Sequence, residues 1–273
     1  MTSAQHGRIR VGIGGWIYAP WRKNFYPDGL AQRRELEYAS RQLSVIEINS
    51  TWYGAQKPAT YAKWRSETPE GFVFSLKAPR YATEAMRLAG VGKLVTDFVS
   101  GGLAELGDRL GPILWQFPPS RRFERDDFAA LLDLLPRELE GRPLRHVLEV
   151  RHTSFLCAGY LELARAHRLP SVFTDSTEYP SFADLTGDFV YARLMRSHAG
   201  IPAGYADDAL DGWAGRAHKW AAGGDPDDLP HVGIKASFDR QNGNPRDVYI
   251  YFISAAKERN PAAALALSQR LRE

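Results

Sequence analysis

Eight short β-prone apolar runs recur along the chain, at residues 9–15, 45–49, 72–79, 112–117, 146–152, 171–175, 189–195 and 248–254. Between most of them the apolar residues return at helical spacing, as Leu36, Ala39 and Leu43 do, and again Phe128, Leu131 and Leu132. Strand–helix alternation repeated this often predicts an α/β protein, a (β/α)8 TIM-type barrel forming a single domain over residues 9–272. The length of 273 residues fits one such domain. In that fold the chemistry sits at the C-terminal ends of the strands. The pattern therefore locates a site before it says what the site does.

Helical stretches are read at 32–43, 59–67, 92–110, 125–135, 155–168, 208–222 and 262–272, the last introduced by Asn260-Pro261 as cap and first-turn pair. Residues 223–246, rich in Gly, Asp, Pro and Asn, read as an insertion before the eighth strand, on the face away from the site. Within it, 232–238 could itself be a strand.

Composition narrows the function classes. A hydrophobic share of 44% supplies a core, and a net charge of +3 permits an anionic partner without being a nucleic-acid signature, which needs basic residues clustered on one face. Cys157 is the only cysteine, so no intrachain disulfide forms and a reducing compartment is expected. The first residues lack the apolar core of a signal peptide, and no apolar run approaches the ~18 residues of a membrane helix. The expectation is a cytoplasmic protein with no membrane partner. The oligomeric state is not legible.

Strands of a parallel barrel are buried on both faces and should be nearly all apolar. Here polar residues fall on alternate positions near the strand ends: Glu47 and Asn49, Ser75 and Lys77, Gln116, Glu149 and Arg151, Asp175, and Arg193. Ile46, Ile48, Phe74, Leu76, Trp115, Phe117, Val150, Thr174, Ala192 and Leu194 alternate with them and suit the helix-facing side. A period of two aims one polar set into the barrel mouth. There it predicts a solvent-reachable hollow gathering three acids (Glu47, Glu149, Asp175) and three bases (Lys77, Arg151, Arg193). The competing interpretation is an ion-pair network that merely plugs the barrel.

These residues lie in longer motifs: Gly12-Ile-Gly-Gly-Trp16, Phe25-Tyr-Pro27, Glu47-Ile-Asn-Ser-Thr-Trp-Tyr53, Lys77-Ala-Pro79, Gly111-Pro-Ile-Leu-Trp-Gln-Phe-Pro-Pro119, Glu149-Val-Arg-His152, Asp175-Ser176 and Tyr191-Ala-Arg193. Through them the chain resembles the YecE-like family, a domain of unknown function, over almost its whole length. The resemblance implies the barrel and no established reaction. At the level of fold it is similar to metal-dependent sugar isomerases and apurinic endonucleases. The chain departs from the family in two places. Met195-Arg196 stands where His and Gly are common, and Ile253-Ser254-Ala255 where Asn and Asp are common.

The candidate chemistry follows from residue types. Glu149, Glu47, Asp175 and His152 are the acid–base candidates, since carboxylates in different surroundings can divide those roles. Arg151, Arg193, Lys77 and Arg196 would hold an anion, with Asn49, Gln116, Trp16 and Tyr53 completing a substrate pocket. The last two strand–helix loops, with Arg193, Arg196, Ser197, Lys257 and Arg259, suit phosphate at a helix N-terminus. Lys77 invites a Schiff-base interpretation, but nearby acids are expected to keep it charged. The aromatics of the first loops, Trp16, Tyr18, Trp21, Phe25, Tyr26, Trp52 and Tyr53, could stack a sugar or base or form a packed lid. Gly12-Ile-Gly-Gly-Trp16 is no dinucleotide fingerprint, because Ile17 holds the third glycine position; its glycines let the chain turn closely. No HExxH, CxxC or His-x-His motif is present, so no cofactor or metal is implied. The leading expectation is an enzyme of hydrolase or lyase type acting on an anionic substrate, small or polymeric, with a phosphorylated one favoured. Its rivals are a nucleic-acid-binding barrel and a metal-dependent hydrolase. On the leading expectation Arg193→Ala loses the ligand and keeps the fold.

Overall fold

The computed structural model describes residues 7–233 and 243–272. Eight strands form where the apolar runs place them: β1 (Ile9–Gly14), β2 (Val45–Ile48), β3 (Val73–Lys77), β4 (Leu110–Gln116), β5 (His146–Glu149), β6 (Phe173–Thr174), β7 (Phe189–Leu194) and β8 (Asp247–Phe252). They pair in parallel in the order β5-β4-β3-β2-β1-β8-β7-β6. The ring closes through a bridge between Leu148 and Ser171. There Leu148 N–H donates to the Pro170 carbonyl at 2.9 Å and Val172 N–H to the Leu148 carbonyl at 2.8 Å. The expected TIM-type barrel is the architecture of the chain.

Among the described residues seven longer helices follow strands: α1 (Glu35–Gln42), α2 (Pro58–Glu67), α3 (Gly92–Ser100), α4 (Arg125–Leu134), α5 (Ala158–Ala166), α6 (Asp207–Ala221) and α7 (Asn260–Arg270). The third stops ten residues before its expected end because Gly102 takes φ 121°, a conformation that glycine adopts without steric cost. Asn260 does not cap its own helix. Its side chain accepts from Ser197 Oγ at 2.9 Å and donates to the Ser254 carbonyl at 3.3 Å, tying the loops after β7 and β8 together. Of the segment before β8, Arg246 holds the Gly223 and Gly224 carbonyls at 3.1 and 2.8 Å. Most of 232–238 lies outside the described residues. Among the described residues no helix is long and apolar enough to cross a membrane.

The period-two pattern sorts the core into two layers. Val45, Val73, Leu114, Val147, Val172, Phe189, Tyr191, Tyr249, Tyr251 and Ile253 pack together inside the barrel. Ile46, Ile48, Phe74, Leu76, Trp115, Phe117, Val150, Ala192 and Leu194 pack outward with the helices. Gly12 is required by close approach: a Cβ there would lie 1.7 Å from the Val45 carbonyl oxygen of the neighbouring strand.

Candidate functional site

The inward positions build a polar column from the barrel centre to its upper end. Lowest are two stacked rings, Tyr191 and Tyr251, with centroids 4.7 Å apart. Tyr251 Oη lies 2.5 Å from Ser75 Oγ, and Tyr191 Oη donates to Glu47 Oε2 at 2.7 Å. Above them the Arg193 guanidinium, from β7, reaches carboxylates on β2 and β5. Its Nη2 donates to Glu47 Oε1 at 3.0 Å and its Nη1 to Glu149 Oε2 at 2.7 Å. Arg151 approaches Glu149 from the rim through Nε at 3.0 Å and Nη2 at 2.8 Å. The Gln116 amide donates to Glu149 Oε2 at 2.6 Å and accepts from Lys77 Nζ at 2.7 Å.

Five charged groups therefore converge where period-two alternation places them, but not in an open hollow. Glu47 is 0% exposed and Glu149 and Arg193 2% each, while Lys77 retains 7%. The charges fill the upper barrel themselves, because an arginine and two carboxylates at hydrogen-bonding distance leave no room for solvent between them. Solvent meets the column at Arg151 and Lys77, each lying against an aromatic ring. Tyr179 lies 4.1 Å from the Arg151 guanidinium, and Trp52 lies 4.7 Å from Lys77 Nζ.

Asp175 stands apart from this column. In β6, Thr174 pairs with Arg193 and so points inward with it, while Val172 joins the interior layer. Asp175 has the opposite parity. Its carboxylate accepts from the Met195 N–H at 2.5 Å and from Tyr205 Oη at 3.0 Å, holding the loop after β7. Burial raises its pKa, opposed by these two bonds. His152 is a rim residue whose Nδ1 accepts from the Ser154 N–H at 3.0 Å, capping the short helix Thr153–Phe155. Asn49 lies beside Gly14, where a Cβ would come within 3.2 Å of its amide nitrogen. Tyr53 and Arg196 are exposed on the rim. Trp16 turns away from the mouth, against Trp64 and Phe74 at 5.3 and 6.1 Å, and lines an outer groove of ≈ 680 Å³ with Leu36 and Lys63.

Most side chains of the last two loops expected to hold phosphate have partners within the protein. Arg193 is committed to the two acids, Ser197 to Asn260, and Arg259 Nε to the Ala199 carbonyl at 3.0 Å. Lys257 packs over Tyr18 and Trp21 at 4.6 and 5.5 Å, and its carbonyl accepts from Trp21 Nε1 at 2.9 Å. Most first-loop aromatics form a packed lid: Tyr18, Trp21, Phe25 and Tyr26 follow one another and pack on Tyr38 of α1, edge to face or tilted. Of the turn glycines, Gly15 takes φ 72° at the exit of β1.

Electrostatics divide the candidates further. Burial works against charge on Glu149, but Arg193 and Arg151 outweigh it and hold its pKa well below the ordinary carboxylate range. A carboxylate loaded with donors in this way stays ionised and is a poor proton acceptor near neutrality. Burial, then repulsion from Arg193, lowers Lys77 to about 8 despite the attraction of Glu47 and Glu149. At that value Lys77 stays mostly protonated near neutrality, but in place of an ion pair with either acid its Nζ bonds to Gln116. Both acids spend their oxygens on arginines, Gln116 and Tyr191. Among the described residues no three His, Cys, Asp or Glu side chains come together to hold a metal ion.

The profile of the family described as "Protein of unknown function DUF72" matches residues 10–273. The chain belongs to the DUF72 family. It is 29% identical over 154 residues to UPF0759 protein YecE of Escherichia coli K12, covering 55% of this chain and 51% of that protein. It is 27% identical over 132 residues to UPF0759 protein YunF of Bacillus subtilis, covering 45% and 44%. The matches span about half the length of these curated relatives. A crystal structure of a DUF72 family protein from Thermotoga maritima superposes with TM-score 0.70 at 20% identity, covering 97% of this chain and all of that one; this likeness concerns the fold.

Two rim residues of this DUF72 barrel, Arg80 and Tyr179, were not singled out from the sequence as site components, and Trp52 was one only as a candidate for stacking. Arg80 lies 5.7 Å from the Trp52 ring and 5.2 Å from that of Tyr81. Trp52 was visible only as one of a crowd of aromatics. Tyr179 carries no sequence signal, since the irregular 175–188 connection places it.

Proposed function

We propose that the barrel mouth binds a small anionic substrate, carboxylated or phosphorylated, and that the protein is an enzyme of hydrolase or lyase type acting on it there. One observation carries this reading. Lys77, Arg151 and Arg193 face only Glu47 and Glu149, and Lys77 bonds to neither acid. Excess positive charge in a largely water-excluded site is costly, and a bound anion offsets it. Arg151 uses Nε and Nη2 on Glu149, leaving Nη1 to turn toward a ligand. Arg193 then acts by holding the two acids, and Glu149 by positioning Arg151 and Gln116.

A second reading, a nucleic-acid-binding barrel, draws on Tyr53 and Tyr81, which are 64% and 54% exposed on a rim that also carries Arg80. Exposed rings beside a cation suit stacked bases. Calorimetric titration separates the two. Inorganic phosphate or pyrophosphate should bind the wild type and bind Lys77→Met and Arg151→Gln at least tenfold more weakly. Absence of binding by either anion would sink the first reading. Oligonucleotide affinity that falls steeply with salt would favour the second.

A further inference from the structure

Of the three cations in the column, Lys77 alone has an uncharged hydrogen-bond partner. Arg193 and Arg151 lie on carboxylates, whereas Lys77 Nζ donates to the Gln116 amide oxygen at 2.7 Å. Gln116 is itself pinned by its bond to Glu149, so it cannot turn away. The Trp52 ring covers the amine, and its Nε1 is buried without a hydrogen-bond partner. A spare donor therefore sits on the ring that shields the amine from bulk water. We propose that Lys77 is a nucleophile that forms an imine with an aldehyde or ketone substrate, whose anionic group Arg151 holds. This rests on the anion-binding reading and names the substrate as a carbonyl compound.

The step balances without a redox partner. The neutral amine adds to the carbonyl carbon, a C–N bond forms, and the C=O π electrons move to oxygen, which takes a proton. The carbinolamine then expels that oxygen as water while the nitrogen lone pair forms C=N. The net change is carbonyl plus amine to imine plus water. Protonated, the imine accepts the electron pair of a breaking carbon–carbon bond and becomes an enamine, while the other carbon leaves as carbon dioxide or as a carbonyl compound, the lyase outcome. The enamine takes a proton on carbon, and water then releases the product and restores the amine. At pH 7 a lysine lowered to about 8 is unprotonated in roughly one molecule in ten, against roughly one in 2,500 for an ordinary lysine. Trp52, lying over the amine, narrows the access of water that would hydrolyse the imine.

The test is trapping on the full chain. Glyoxylate, the smallest aldehyde bearing a carboxylate, and pyridoxal 5′-phosphate, an aldehyde bearing a phosphate, are each added at limiting concentration at pH 8. Sodium borohydride then reduces any imine, and peptide mass mapping locates the label. At least one probe should label Lys77 tenfold or more over Lys93, an exposed lysine of α3 paired with Asp97. Inorganic phosphate should suppress the label at Lys77 and not at Lys93. Gln116→Glu, which gives Lys77 a carboxylate partner, should cut the label at Lys77 at least tenfold at pH 8 and leave Lys93 unchanged. Labelling of Lys77 no greater than that of Lys93 with both probes overturns the imine. If phosphate still binds by calorimetry in that case, the anion reading stands and only the imine falls; if neither is seen, both fall.

Discussion

Arg193 is shared between Glu47 and Glu149, with donors 3.0 and 2.7 Å from carboxylate oxygens on strands that flank it on opposite sides of the barrel order. Its burial changes what its removal should do. Arg193→Met leaves two buried carboxylates without their common partner, and breaking a buried pair by removing one member costs about 3–5 kcal/mol. Urea denaturation should show that loss in place of a ligand-binding defect on an intact fold. Adding Glu149→Gln to Arg193→Met should recover part of it. A variant as stable as the wild type would mean that the column contributes nothing to the fold.

The lowered proton affinity of Lys77 has a stability signature on the alkaline side. Its pKa moves from 10.5 to about 8 on folding, so between those values the unfolded chain binds more protons than the folded one. Stability from this group therefore rises with pH across that window and is lowest below about 8. The span corresponds to about 3 kcal/mol at 1.36 kcal/mol per pH unit. Tyrosines titrate nearby, so the quantity to measure is wild type minus Lys77→Met. That difference should climb from pH 8 to pH 10.5, and a flat difference would refute the lowered affinity.

Ala255 follows β8 with φ 44°, directly after Ser254 at φ 60°. Left-handed backbone is unfavourable for a residue with a Cβ, whereas Asn and Gly tolerate it. These positions fall where the YecE-like pattern commonly has Asn and Asp. Ala255 is exposed, so no packing is lost on replacement. Ala255→Asn or Ala255→Gly should raise thermal stability by about 0.5–1 kcal/mol; a lowered melting temperature in both would contradict the backbone argument.

Much of the column was legible because alternation with strongly apolar neighbours leaves one parity for each strand. Glu47 between Ile46 and Ile48, or Gln116 between Trp115 and Phe117, can point only inward once helices cover the outside. The sixth strand lacked that contrast. Val172 and Phe173 are both apolar, and Thr174 and Asp175 are both polar, so either parity reads equally well. The ladder pair of Thr174 with Arg193 decides it.

From the sequence alone came the barrel, the end of it that carries charge, and most of the residues gathered there, because burial on both faces of a parallel strand makes every polar residue conspicuous. Only the tertiary structure decided who pairs with whom. Two arginines compete for Glu149 and one of them also takes Glu47, which leaves Lys77 on an amide beneath Trp52. Hydrogen-bond partners and solvent access depend on distances between strands remote in the chain, and a period of two carries no record of those distances.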